Sequence, residues 1–209
     1  TSTASHGRRQ VSNQGAWAGH AVEAEARMTA MFGFLRRARH ERPAYELYCR
    51  AVAAARAPYF YTALAVPDTL DGRFDLVGLY AFLVIRRLQA APPPGPAMAQ
   101  AVFDAMFSDM DLNLREIGVS DLSVGKKVKQ MWEAFHGRAA AYQTALAAGD
   151  QAALAEALGR NVWRGQMADP AAAARLARLV LAEDAHLAGQ DRLALLRGEV
   201  AFLTPDLLP

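Results

Sequence analysis

The sequence predicts an all-α fold: a single globular multi-helix domain over residues 41–209, preceded by a basic, partly disordered extension over residues 1–40. Three observations carry this prediction. Alanine, the residue that costs least to place in a helix, dominates the composition, and β-branched residues are sparse. Apolar residues recur at helical spacing, and no apolar–polar alternation runs long enough to predict a strand. Proline and glycine interrupt the pattern at intervals that suit helix ends.

The elements follow in order. Residues 1–20 are rich in Ser, Gly, Gln and His and predict no helix. Pro43 fits the first turn of a helix running to about residue 57. After Pro58 comes the aromatic segment Tyr59, Phe60, Tyr61, and then turn signals at Pro67-Asp68 and Asp71-Gly72. The stretch from 74 to 89 is apolar nearly all round, the pattern of a helix buried in the core or lining a groove for an apolar partner helix. The run PPPGP at 92–96 is the clearest break. Beyond it a helix is predicted over 97–117, with a stripe of Phe103, Phe107, Met110, Leu114 and Ile117, and with Leu112 on the opposite, polar side. A loop through Gly118 leads to a long helix, 123–148, striped by Val124, Val128, Met131, Phe135, Tyr142 and Leu146. A shorter helix covers 151–164. Asp169-Pro170 caps a last one running to about 196.

Charge and composition exclude several classes. Hydrophobic residues at 53% and charged residues at 21% fit a folded protein. The net charge is +2, yet residues 1–40 alone carry +4 through Arg8, Arg9, Arg27, Arg36, Arg37 and Arg39 against Glu23 and Glu25. The folded part has no basic stripe, so a nucleic acid is not predicted as a direct ligand. The basic end suits an anionic membrane surface instead. Within it, Phe32 and Phe34 interleave with Arg36 and Arg37, a composition that fits contact with lipid or packing on the domain itself. Residues 1–30 lack the apolar core of a secretory signal. The longest apolar run, 76–85, falls well short of the roughly 20 residues a bilayer-spanning helix needs. Cys49 is the lone cysteine, so the fold uses no internal disulfide.

No phosphate loop, dinucleotide fingerprint, zinc pair or hydrolase elbow is present. No catalytic residue, metal site or cofactor is predicted. One constellation is worth testing: Glu133 with His136 and Glu183 with His186 are Glu-x-x-His pairs on separate helices, as in carboxylate-bridged di-iron bundles, with Glu116 and Glu156 in the matching order. Helical geometry argues against it. Glu133 lies about 160° and His136 about 100° from the apolar stripe of their own helix, and only Glu183 falls on an apolar face. A di-iron protein and a membrane-peripheral helical adaptor are the alternative readings.

Two stretches carry a resemblance that periodicity does not give. AYELYCRAVAAARAPYFYTALAVPDTLDGRFDLVGLYAFLVIRRL (44–88) has a Tyr/Arg-rich helix, an aromatic segment, a Pro-Asp turn and an apolar helix in that order. DMDLNLREIGVSDLSVGKKVKQM (109–131) joins Asp-x-Asp, Leu-Arg-Glu and a glycine to Asp-Leu, a second glycine and clustered lysines. Together they resemble the ubiquinol–cytochrome c chaperone family of mitochondria and related bacteria, over roughly 44–165 with a weaker continuation. The resemblance implies a non-enzymatic chaperone that assists assembly of the cytochrome bc1 complex by holding newly made cytochrome b. It further implies a ribosome and a small helical subunit as partners in mitochondria. The implied location is the bacterial cytoplasm or the cytoplasmic face of the inner membrane, or the matrix side in an organelle. The candidate partner surface comprises Tyr59, Phe60, Tyr61 and the block Asp109, Asp111, Leu112, Arg115, Glu116, Asp121, Lys126, Lys127 and Lys129. The three lysines stand unfavourably near the positive end of a helix dipole; the acidic members of that block are candidate partners for them, and a solvated helix end is the commoner alternative.

Overall fold

The computed structural model describes residues 40–166 and 169–207. Among the described residues it is helical, without a strand. Phe32, Phe34, Arg36 and Arg37 lie outside the described residues.

Helix α1 (Glu41–Ala55) buries Ala44, Leu47, Tyr48, Ala51 and Ala55, the i, i+3, i+4, i+7 face expected of a helix laid on a core. A short α2 (Pro58–Thr62) starts at a proline in its first turn. Helix α3 (Leu70–Gln89) is the centre of the molecule and packs on α1 and on later helices. Its side chains from Phe74 to Ile85 are all buried, as all-round apolarity predicts for a central helix. It begins four residues before the predicted start. The Thr69 hydroxyl accepts from the Gly72 amide at 3.1 Å, so Asp71-Gly72 is the first helical turn and not a loop.

Helices α4 (Gly95–Glu116) and α5 (Asp121–Ala148) form an antiparallel hairpin. Phe103 and Phe107 of α4 meet Phe135 of α5 with ring centroids 5.6 and 6.1 Å apart. Gly149, at φ +64, ends α5 in the left-handed region, and Asp150 then caps α6 (Gln151–Val162) by accepting from the Ala153 amide at 2.9 Å. Helix α7 (Pro170–Gly189) starts at the predicted Asp169 cap and packs on α6 and α3.

The predicted helix to 196 is two helices. The backbone turns extended at Gln190, and Asp191 caps a separate α8 (Arg192–Leu196), its carboxylate accepting from the amides of Leu193 and Ala194. The polar end of α3 is tied to this region. Arg86 bonds Asp184 at 2.8 Å, and Arg87 donates to the carbonyls of Leu187 and Gln190 at 2.8 and 3.1 Å.

Candidate functional site: the α4–α5 corner

The acidic and basic block converges where α4 turns into α5. Gly118, at φ +85, stops α4. The Val119 amide returns to the Leu114 carbonyl at 3.0 Å and the Gly118 amide to Arg115 at 3.0 Å, closing a Schellman-type end. On the far side of the turn, Val124 is buried and anchors the first turn of α5.

Arg115 fastens the two helices. Its guanidinium grips Asp111 with both arms, at 2.6 and 3.3 Å, and its remaining nitrogen bonds Asp121 at the start of α5. These bonds, Asp111 foremost, hold the guanidinium more firmly in its charged form than usual. Asp121 in the first turn of α5 also favours the helix dipole. Asp109 faces the other way: Tyr48 of α1 donates its phenol proton to Asp109 at 2.7 Å. Burial, reinforced by this bond, pushes the Tyr48 phenol well above its ordinary range.

Of the two alternatives for the lysines, the solvated helix end is the one that forms. Asp111 and Asp121 are engaged by Arg115, and Asp109 is engaged by Tyr48. Lys129 is 3.8 Å from Glu133 on its own helix. Lys126, Lys127 and Glu116 are exposed.

Around this clamped turn large apolar side chains are exposed among the charged ones. Leu112, on the polar side of α4 as predicted, is 55% exposed. Ile117, predicted on the buried stripe, is 59% exposed, because the α4 stripe leaves the core after Leu114. Leu122 is 97% exposed. Three large aliphatic side chains within eleven residues are thus exposed, Leu112 on the polar side of α4 and Ile117 and Leu122 at the turn itself. The sequence held a signal for Ile117: a glycine at the next position marks it as the helix cap rather than an interior turn.

The aromatic segment does not join this corner. Phe60 is fully buried, edge-on to Tyr80 of α3 at 5.8 Å, so it is a core residue and not a partner contact. Tyr59 and Tyr61 are half-buried, and the Tyr61 hydroxyl turns to the Ala55 carbonyl.

The two Glu-x-x-His pairs are not brought together either. Glu133, Glu116 and Glu156 are exposed, whereas Glu183 is buried. The His136 ring stacks on Trp132 with centroids 3.9 Å apart. Among the described residues no three His, Cys, Asp or Glu side chains gather in a metal-binding group. Nor is any helix among them long and apolar enough to cross a membrane.

The family described as ubiquinol-cytochrome C chaperone matches residues 62–202, reaching further toward the C-terminus than the two resembling stretches. A Xenopus laevis protein named ubiquinol-cytochrome-c reductase complex assembly factor 1 is 25% identical over 127 residues, which is 61% of this chain. The chain spans 63% of the length of that curated relative. The crystal structure of the Cbp3 homolog from Brucella abortus is similar at a TM-score of 0.74 and 33% identity, covering 90% of this chain and 99% of that one. With the family match extending over most of the sequence, and with a solved relative sharing both fold and a third of its residues, this chain belongs to the ubiquinol-cytochrome C chaperone family.

Proposed function

We propose that this chain is an assembly chaperone of the cytochrome bc1 complex, which holds newly made cytochrome b until its partner subunits arrive. Membership in a chaperone family supports a binding role rather than catalysis, and the Xenopus relative carries reductase-complex assembly in its name. The structural observation that carries the reading is the clamped corner, where Ile117 and Leu122 are exposed at a turn fixed by Arg115 and Leu112 is exposed on the helix leading into it.

A client with long apolar helices needs a partner whose apolar surface is ready before contact, because ordering that surface on binding costs free energy. The Arg115 bonds meet that need. Lys126 and Lys127 add charge to the rim, where it steers encounter more than it holds the complex. Asp111, Glu116, Asp121 and Lys129 frame the same surface, with Asp109, on the α1 side, and Tyr59 and Tyr61 as separate, lesser contacts. In this reading the chain works at the cytoplasmic face of a bacterial inner membrane, or the matrix side of an organellar one. Residues 1–40 are a basic extension whose Phe32, Phe34, Arg36 and Arg37 touch lipid. A ribosome and a small helical subunit are further partners the family reading implies.

The test is photo-crosslinking from single positions in cells building the complex. A photoreactive residue at Leu112, Leu122 or Lys126 is expected to yield adducts containing cytochrome b, and one at the exposed Leu193 of α8 is expected to yield none. Adducts from Leu193 alone would move the client surface elsewhere. Absence of cytochrome b from every adduct would remove the client assignment.

A further inference from the structure

After α8 the chain crosses α7 as an irregular segment, residues 199–204, before the short turn at Pro205–Leu207. Polar contacts at two residues of α7 and its C-terminal end hold this segment. The Gln190 side chain pairs with Ala201 in both directions, donating to its carbonyl at 2.6 Å and accepting from its amide at 3.0 Å. Two turns back along α7, the Leu203 amide donates to Glu183 Oε2 at 3.0 Å. Between them the Phe202 ring stands edge-on against Tyr80 of α3, with centroids 5.2 Å apart.

Glu183 is unusual among these groups. Its residue is 1% exposed, and its second oxygen, Oε1, is buried without a hydrogen-bond partner among the described residues. Buried carboxylates are ordinarily matched by a cation or by several donors. Here the nearby charged groups are committed elsewhere. Arg86 of α3 is turned to Asp184, and Arg87 to the carbonyls of Leu187 and Gln190. On the segment itself, Glu199 pairs with Arg197 at the surface. The titratable group that α3 presents to Glu183 is the Tyr80 phenol, itself held protonated by burial. Burial accordingly pushes the Glu183 carboxyl up to about 7, against the opposing effect of the Leu203 amide.

We propose that Glu183 is a protonation-controlled latch: its neutral carboxyl holds residues 199–204 over Tyr80, and loss of the proton lets that segment lift. An ionised Glu183 in this position has a single donor among the described residues. The segment that supplies the donor also covers the carboxyl, so lifting it is the shortest route to hydration. The Gln190–Ala201 pair is uncharged and does not respond to pH, so it sets the baseline hold and leaves the pH dependence to Glu183. Lifting moves Phe202 off Tyr80 and uncovers an aromatic surface that continues to Phe60. The proposal is independent of the client assignment.

Hydrogen exchange of the full chain, read for the 199–204 amides and corrected for intrinsic exchange at each pH, tests it. The lifted state favours the ionised form, so protection is expected to fall as pH rises from the ordinary carboxylate range toward 7. The expected loss is about fiftyfold between pH 5 and pH 8, while buried α3 amides keep theirs. Glu183→Gln, neutral throughout, should hold constant protection over this range. Gln190→Ala should lower protection equally at every pH and keep the slope. A flat wild-type profile would overturn the proposal without recourse to any variant. So would a Glu183→Gln profile parallel to the wild type, or a loss shared equally by α3.

Discussion

Arg138 of α5 closes directly on the carboxylate of Asp75 in α3, and Arg164, just beyond α6, reaches the other carboxylate oxygen at 3.4 Å. Asp75 is 3% exposed, so two helices and the turn after a third meet on one buried carboxylate. The Arg138 guanidinium also lies 5.8 Å over the Phe74 ring, which shields it from water. Burial outweighs both arginines and pushes the Asp75 carboxyl up to about 6. A folded-state value above the unfolded one makes the neutral acid the better-tolerated form. This group's contribution is therefore most favourable below about pH 4 and is lost as pH rises through 6.

Replacing Arg138 by Met should cost about 3 kcal/mol at pH 8, where Asp75 is ionised and loses its nearest cation. At pH 5 the cost should be clearly smaller, because Asp75 then takes up a proton. Urea denaturation of both proteins at the two pH values measures the difference. An equal loss at both would mean that Asp75 stays ionised throughout.

Gly72 shows how closely the start of α3 is fitted. A Cβ there would stand 2.1 Å from the Pro67 carbonyl oxygen, which is backbone and has little freedom to retreat. Gly72→Ala should destabilise by about 1–3 kcal/mol through displacement of the 67–69 turn. Thr69→Ala, which removes only the cap bond, should cost about 1 kcal/mol. Urea midpoints for the two variants rank them.

Two leucines of the same size make opposite predictions. Leu76 in α3 is fully buried, and Leu76→Ala should cost about 2–5 kcal/mol. Leu122 at the corner is 97% exposed, and Leu122→Ala should stay within about 0.5 kcal/mol of wild type. If Leu122 meets the client, its variant should lose cytochrome b capture at unchanged stability. A pull-down beside a thermal melt reads both.

Reversing charge at Lys126 and Lys127 together should leave the melting temperature within about 2 °C of wild type, since neither side chain packs in the core. Capture of cytochrome b should fall, and fall more at low salt, where charge acts over longer range. Full capture by the folded double variant would remove the lysines from the client surface.

How much of this was legible differs from element to element. The all-round apolarity of residues 74–89 announced a central helix, and Asp169-Pro170 announced the start of α7, because both depend on local pattern. The start of α3 is not legible locally because Asp71-Gly72 carries a turn signal, whereas the Thr69 cap, five residues before the apolar run, recruits both into the helix. The last helix was drawn too long because alanine and leucine continue past Gln190, and the break there is made by the Asp191 cap.

At the candidate site, the sequence by itself determined which charges cluster, that Leu112 stands on the polar side of its helix, and, through the signature at 109–131, the family. Only the tertiary structure decided who pairs with whom. The guanidinium of Arg115 reaches two carboxylates on two helices at once, so it takes Asp111 and Asp121, while Tyr48 on a third helix takes Asp109. Residue order along one chain does not encode distances between helices, nor where a helix leaves the core. That departure is what exposes Ile117 and Leu122, while packing against Tyr80 of α3 buries Phe60 and the closing of the chain over α7 covers Glu183.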